Sequence, residues 1–146
     1  MDLSKLSRDD RIFVGVGLLL VIDLLFLPWF DYSKGFGPFT ASVALTATGY
    51  PDGWLGVLGL LAGLAVIGDI AFDRLGSGEL PTIGGSRAST RLVLAYAVAA
   101  FLGLKFIIHA HFSLFGFGFW AGAVLTIALV VVAIRAREAE VQQTAR

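Results

Sequence analysis

Four long apolar runs separated by short polar stretches set the pattern of this chain. They cover about residues 12–30, 54–72, 92–110 and 115–134. A helix that crosses a bilayer needs about 20 mostly apolar residues, and each run meets that length. Charge, Pro, Gly or Trp bounds every one. The pattern predicts an all-α membrane protein: one four-transmembrane-helix bundle over residues 1–146, with no separate soluble domain.

One segment breaks the helical pattern. In residues 31–53, "DYSKGFGPFTASVALTATGYPDG", positions 39–48 alternate. Phe39, Ala41, Val43, Leu45 and Ala47 are apolar, and Thr40, Ser42, Thr46 and Thr48 are polar. Period two reads as a strand with one buried face, paired with the chain near 31–36 and laid over the bundle. On that reading Val43 and Leu45 are buried and Thr40 and Ser42 face water. A coil with chance alternation is the competing reading. At the start of the chain, Ser7 and Asp10 form an S-x-x-D pattern that predicts a helix beginning near residue 7. The first run is too long for a signal-peptide core, and no A-x-A site follows it. Asp52, in "YPDGW", stands where an N-cap for the second helix belongs.

Composition sharpens the class. The chain is 57% hydrophobic and 15% charged, against about 45–50% and 25% in soluble domains. Its formal net charge is zero, so no global field draws nucleic acid. The absence of cysteine excludes disulfides, thiolate metal sites and membrane oxidoreductases that work through cysteine pairs.

Orientation follows from Lys and Arg. Nine of the eleven basic residues lie in the N-terminal tail, the 74–91 connection and the C-terminal tail. Lys34 alone lies in the opposite loops, and Lys105 falls inside the third run. The bias predicts a plasma-membrane protein, in a bacterium the cytoplasmic membrane, with both termini cytoplasmic and 31–53 as the longer outer loop. It argues against small multidrug transporters, which have an acid in the first span but insert both ways. Trp29, Trp54 and Trp120 fall at the outer helix ends, where amphipathic rings favour the interface. The aromatic "FGFGFW" reads as part of that belt.

Small residues mark helix contacts. Gly56, Gly59 and Gly63 line one face of the second run, and Ala95, Ala99 and Gly103 recur every four residues in the third. Such stripes let backbones approach in lipid. They read as contacts within the bundle, with a homodimer face as the competing use.

Candidate chemistry is sparse. There is no G-x-S-x-G, no H-E-x-x-H and no nucleotide loop, and no serine stands beside a base. His109 and His111 are two apart on a helix and face apart, so they read as interfacial hydrogen-bonding residues and not as a metal pair. Asp69 and Asp73 read as interfacial charges. No metal or cofactor is expected. The intramembrane polar candidates are Asp23, Lys105 and His109. An ionisable residue in a span is a functional candidate by default. Asp23 and Lys105 share a depth, so an ion pair between them is one expectation. The other is a Lys105 that snorkels outward beside a lone acid.

The segments "FLPWF", "PDGWLGVLGLLAGLA", "KFIIHAHFSLFGFGFWAG" and "IRARE" resemble small bacterial four-span membrane proteins of unknown function. The resemblance covers most of the chain and implies a bundle without an assigned activity. The layout of a long first outer loop, a short second one and internal termini is also similar to the claudin-type arrangement, although that family's W…G-L-W…C…C signature is absent. Two functions follow as expectations. The first is a non-enzymatic structural, assembly or accessory subunit, with the bilayer and a membrane-protein partner as its surroundings. The second is a small transporter or ion-coupled protein using Asp23.

Overall fold

The computed structural model describes residues 7–36, 39–75, 81–109 and 114–145. It is mostly helical. In chain order the elements are α1 (Arg8–Phe26), β1 (Phe30–Phe36), β2 (Phe39–Leu45), α2 (Gly53–Leu75), α3 (Arg87–Ile108) and α4 (Phe117–Thr144). Helix α1 packs on α2 and α4, and α3 packs on the same two, so the bundle closes as a ring. Leu20, Leu24, Leu55, Val66, Ile70, Val98 and Leu129 fill its centre.

Helices α2, α3 and α4 are each long and apolar enough to cross a membrane. Helix α1 is not apolar enough on the same terms. Its 19 residues include Arg8, Asp9, Asp10 and Arg11 in the first turn and Asp23 near the far end. It starts as its cap dictates. The Ser7 side chain accepts from the Asp10 amide, and the Asp10 carboxylate accepts from the Ser7 amide, which satisfies two otherwise orphaned donors.

The first apolar run is not one helix to residue 30. Helix α1 stops at Phe26, and Leu27 is extended (φ −87°, ψ 146°). Pro28 is the cause, because its ring disfavours helical backbone in the residue before it. The chain then bends at Leu27 and Trp29 and enters β1. There the expected strand is present: β1 and β2 are antiparallel, with Phe30 opposite Leu45, Tyr32 opposite Val43 and Ser33 opposite Ser42. The expected burial of Val43 is not, since that residue is 55% exposed. The sheet touches the bundle at its base, where Ala47 and Phe30 are buried, and both faces of β2 are open at Ser42 and Val43.

Pro28 and Trp29 are held on both sides. The Trp29 amide donates to the Leu45 carbonyl at 2.8 Å, the Gly116 amide to the Trp29 carbonyl at 3.0 Å, and the Gly118 amide to the Pro28 carbonyl at 2.9 Å. A Cβ at Gly118 would lie 2.8 Å from Leu27 Cβ. The glycines of "FGFGFW" therefore admit a neighbouring backbone, a role distinct from that of an aromatic belt.

The small-residue stripes divide. Gly59 faces Leu102 of α3, whose Cδ2 would stand 2.9 Å from an added Cβ, and Gly56 packs on the Ala47 carbonyl. Ala95 is fully buried. An added Cβ at Gly63 or Gly103 meets nothing within 4 Å, and Ala99 and Gly103 line an open cleft. At Gly103 the α3 stripe has no neighbouring helix within close reach.

Candidate functional site

Three polar centres lie within or at the ends of the bundle. The first is Asp23, one turn before α1 ends and 1% exposed. The turn at Pro28 brings Trp29 back over it, and the indole Nε1 donates to Asp23 Oδ2 at 3.0 Å. Trp29 is itself 1% exposed and meets Phe119 edge-on at 5.5 Å. The expectation that it anchors at an interface is corrected. A buried indole needs an acceptor for its N–H, and Asp23 supplies one. Trp54 and Trp120 are half exposed. Helix α4 closes over the pair at Gly122, where a Cβ would lie 2.5 Å from Asp23 Oδ2 and 2.6 Å from Trp29 Cζ2. The other oxygen, Asp23 Oδ1, is buried without a hydrogen-bond partner among the described residues.

The second centre is Lys105, fully buried near the sheet-bearing end of α3. Its ammonium donates to the carbonyls of Ala47 at 2.6 Å and Pro51 at 2.7 Å, and more distantly to Gly49 and Asp52 at 3.3 Å each. The 47–52 turn has a cis Tyr50–Pro51 bond and Asp52 at φ 47°, a left-handed conformation that Asp tolerates better than most residues. Its carbonyls converge on one point. The Phe30 ring lies 5.5 Å from the ammonium, within cation–π reach. His109, one turn on, completes the enclosure: Nε2 is 3.2 Å from Asp52 Oδ2 and Nδ1 is 3.1 Å from the Lys105 carbonyl. Asp52 precedes α2 as expected of a cap, but its carboxylate engages His109 and the Trp54 indole. His111 lies outside the described residues.

Asp23 and Lys105 are therefore not an ion pair. Each is spent on a partner close to it in the fold, Trp29 for one and the 47–52 carbonyls for the other. Lys105 does not snorkel either, because four carbonyls already replace the water its head would seek.

The third centre was not anticipated. At the opposite end of the bundle, Asp10 of α1, Asp69, Asp73 and Arg74 of α2, and Arg87 and Arg91 of α3 form one network. Arg91 is 7% exposed. Its Nε donates to Asp69 at 2.7 Å, one Nη to Asp73 at 2.7 Å and the other to Asp10 at 3.5 Å. Arg87 bonds Asp69 and Arg74 bonds Asp10, each at 2.9 Å. Burial alone would raise the Asp10 carboxyl. Hydrogen bonds from the Ser7 side chain and amide and from Arg74 outweigh that and hold it below its usual 3.8. A signal for this cluster was present in the sequence. Asp69 and Asp73 are four apart, as are Arg87 and Arg91, so each pair shares a helix face, and the two helices are consecutive.

None of the three centres sets a nucleophile beside a base. Among the described residues no group of three or more His, Asp or Glu side chains could hold a metal ion. The acids are occupied by arginines or by Trp29 and His109. The arrangement can fasten helices and a loop to one another, and among the described residues it leaves one buried carboxyl oxygen, Asp23 Oδ1, without a hydrogen-bond partner. No family model, curated protein or solved structure matches the chain.

Proposed function

We propose that this chain is a four-span integral protein of the plasma membrane, with both termini cytoplasmic, acting as a non-enzymatic structural or accessory subunit for a membrane-protein partner. The observation that carries the reading is how the charges are used. Lys105 fastens the 47–52 turn to α3, and Arg91 ties α1, α2 and α3 together, so the polar groups serve the bundle's own architecture. In a catalyst or a pore some of them would line an open site.

Helix α1 is the fourth span on this reading. Leu18, Leu19, Ile22 and Phe26 are exposed along it, an apolar face that only lipid or another helix would cover. Leu27–Trp29 extend its apolar length towards the sheet. The charge bias supports an orientation with the Asp10–Arg91 end in the cytoplasm and the sheet outside.

Asp23 supports a second reading, a small transporter or ion-coupled protein. Its free Oδ1 could take a proton or a polar ligand. Purification of the tagged chain in mild detergent, followed by mass spectrometry, separates the two. A membrane protein recovered in stoichiometric amount supports the accessory role. A lone chain whose liposomes show proton or solute flux, abolished in Asp23→Asn, replaces it with the second.

A further inference from the structure

His109 caps the end of α3, and each of its ring nitrogens faces an acceptor. Nδ1 is 3.1 Å from the Lys105 carbonyl, and Nε2 is 3.2 Å from Asp52 Oδ2. A carbonyl oxygen and an ionised carboxylate accept and cannot donate. A neutral imidazole carries one N–H and one lone pair, so in either tautomer a lone pair meets an acceptor. The imidazolium has two N–H groups and satisfies both sides. Histidine is the side chain that exchanges these forms between about pH 5 and 8. The His109 and Asp52 side chains are 21% and 39% exposed, so water can deliver and remove the proton.

The charges around His109 come from several elements. Asp52, in the turn before α2, is the acid that faces it. Lys105, one turn back on α3, is the opposing cation, but its ammonium is turned to the 47–52 carbonyls. The Phe30 ring stands 5.5 Å from that ammonium and 5.9 Å from the imidazole. The carbonyl end of α3 itself favours a cation. Tyr32 of β1 and Tyr50 of the turn share a recess of about 250 Å³ with His109 and bring phenols to it, not carboxylates. Asp31 is exposed and alternates to the other face of β1. Leu114, ahead of α4, brings no charge.

We propose that His109 is a pH-dependent latch on the 47–52 turn. Protonated, it ties Asp52 to the end of α3. On losing its proton it keeps Nδ1–H on the Lys105 carbonyl, which belongs to the same helix, and turns a lone pair on Asp52, which belongs to a loop that can move. The Asp52 side chain is then freed and Tyr50 gains motion, while Lys105 still holds the Ala47 and Pro51 carbonyls. The contact is present at low pH and is lost as pH rises. That the latch meets the outer solution rests on the orientation proposed above; the latch itself does not.

The test uses the full chain in phosphatidylcholine nanodiscs, where buffer reaches both faces. The sequence has no cysteine, so Tyr50→Cys, at a 78% exposed position, takes a single nitroxide label. Its mobile and immobile spectral components are measured from pH 5 to 8, and the other variants are made in this background. The mobile-to-immobile ratio should rise about fivefold over that range, the upper end for a part-exposed ion pair. His109→Gln should hold one ratio throughout. Asp52→Asn should stay immobile at both extremes, because its amide can donate to the neutral imidazole; a merely structural pair would loosen at every pH. His111→Gln should titrate as the parent does. Four results overturn the proposal: a flat ratio in the parent, a His109→Gln chain that still titrates, an Asp52→Asn chain that is mobile at both extremes, and a response abolished by His111→Gln, which assigns it to the other histidine. The last two do not depend on His109→Gln folding.

Discussion

The two ends of the bundle bury cations by opposite means. At the Asp10 end, arginines meet carboxylates, three of each. At the sheet end, Lys105 meets backbone carbonyls and one aromatic face. The side chains explain the division. A guanidinium presents a flat fork of donors that matches carboxylate oxygens on several helices at once, whereas an ammonium is a compact point with three donors that a ring of carbonyls can enclose. The arginine end joins helix to helix. The lysine end joins a turn to a helix, and a turn of six residues has carbonyls to spare.

The comparison can be broken at the lysine first. Lys105→Met should cost about 3–5 kcal/mol, because it strips the donor from buried carbonyls without giving them water. Lys105→Arg should recover little, since a planar fork does not fit the enclosure. Thermal unfolding in detergent measures both, and full recovery by Arg would show that charge alone matters there. Arg91→Met should cost less, about 2–3 kcal/mol, because Arg87 and Arg74 still serve Asp69 and Asp10. Here Arg91→Lys should recover part of the loss. A cost above that of Lys105→Met would reverse the ranking of the two ends.

Acid should distinguish the ends next. The Asp10 carboxyl is held below its usual 3.8 in the folded chain. Its contribution is complete above that value and is lost as pH falls through the lower, folded one. Melting temperature should therefore drop on acidification below about pH 4, and the drop should shrink in Ser7→Ala. An identical profile in that variant would remove Asp10 as the source. The smallest effect expected is a coupling of nearly zero. Asp23→Asn and Lys105→Met should add within about 0.5 kcal/mol, as independent sites do. Recovery in the double variant would restore the ion pair that the structure separates.

Legibility from sequence followed the kind of partner. The Ser7–Asp10 cap and the strand at Phe39–Leu45 come from local patterns with fixed spacing, and both appear in the fold, although the buried face that the alternation implied does not. Gly59 against Leu102 follows from small-residue periodicity. The acidic and basic pairs at spacing four were equally visible, but their charges were read for orientation and not for one another. Trp29 was misplaced because position along a helix does not reveal that a proline folds the next residues back. The partners of Lys105 could not be read. Its acceptors are main-chain carbonyls, which every residue type carries, so no composition signals them.

The hydrogen bonds around Pro28 and Trp29 also constrain the order in which the chain can mature. One partner, Leu45, is made soon after them, but Gly116 and Gly118 belong to the last third of the polypeptide. During synthesis the first hairpin must wait, with its base half-paired, until the fourth helix arrives to complete it. A chain cut before residue 114 would leave two carbonyls and the Asp23–Trp29 corner uncovered. Quality control that senses such exposed polar backbone would in effect be checking that the final helix has been delivered.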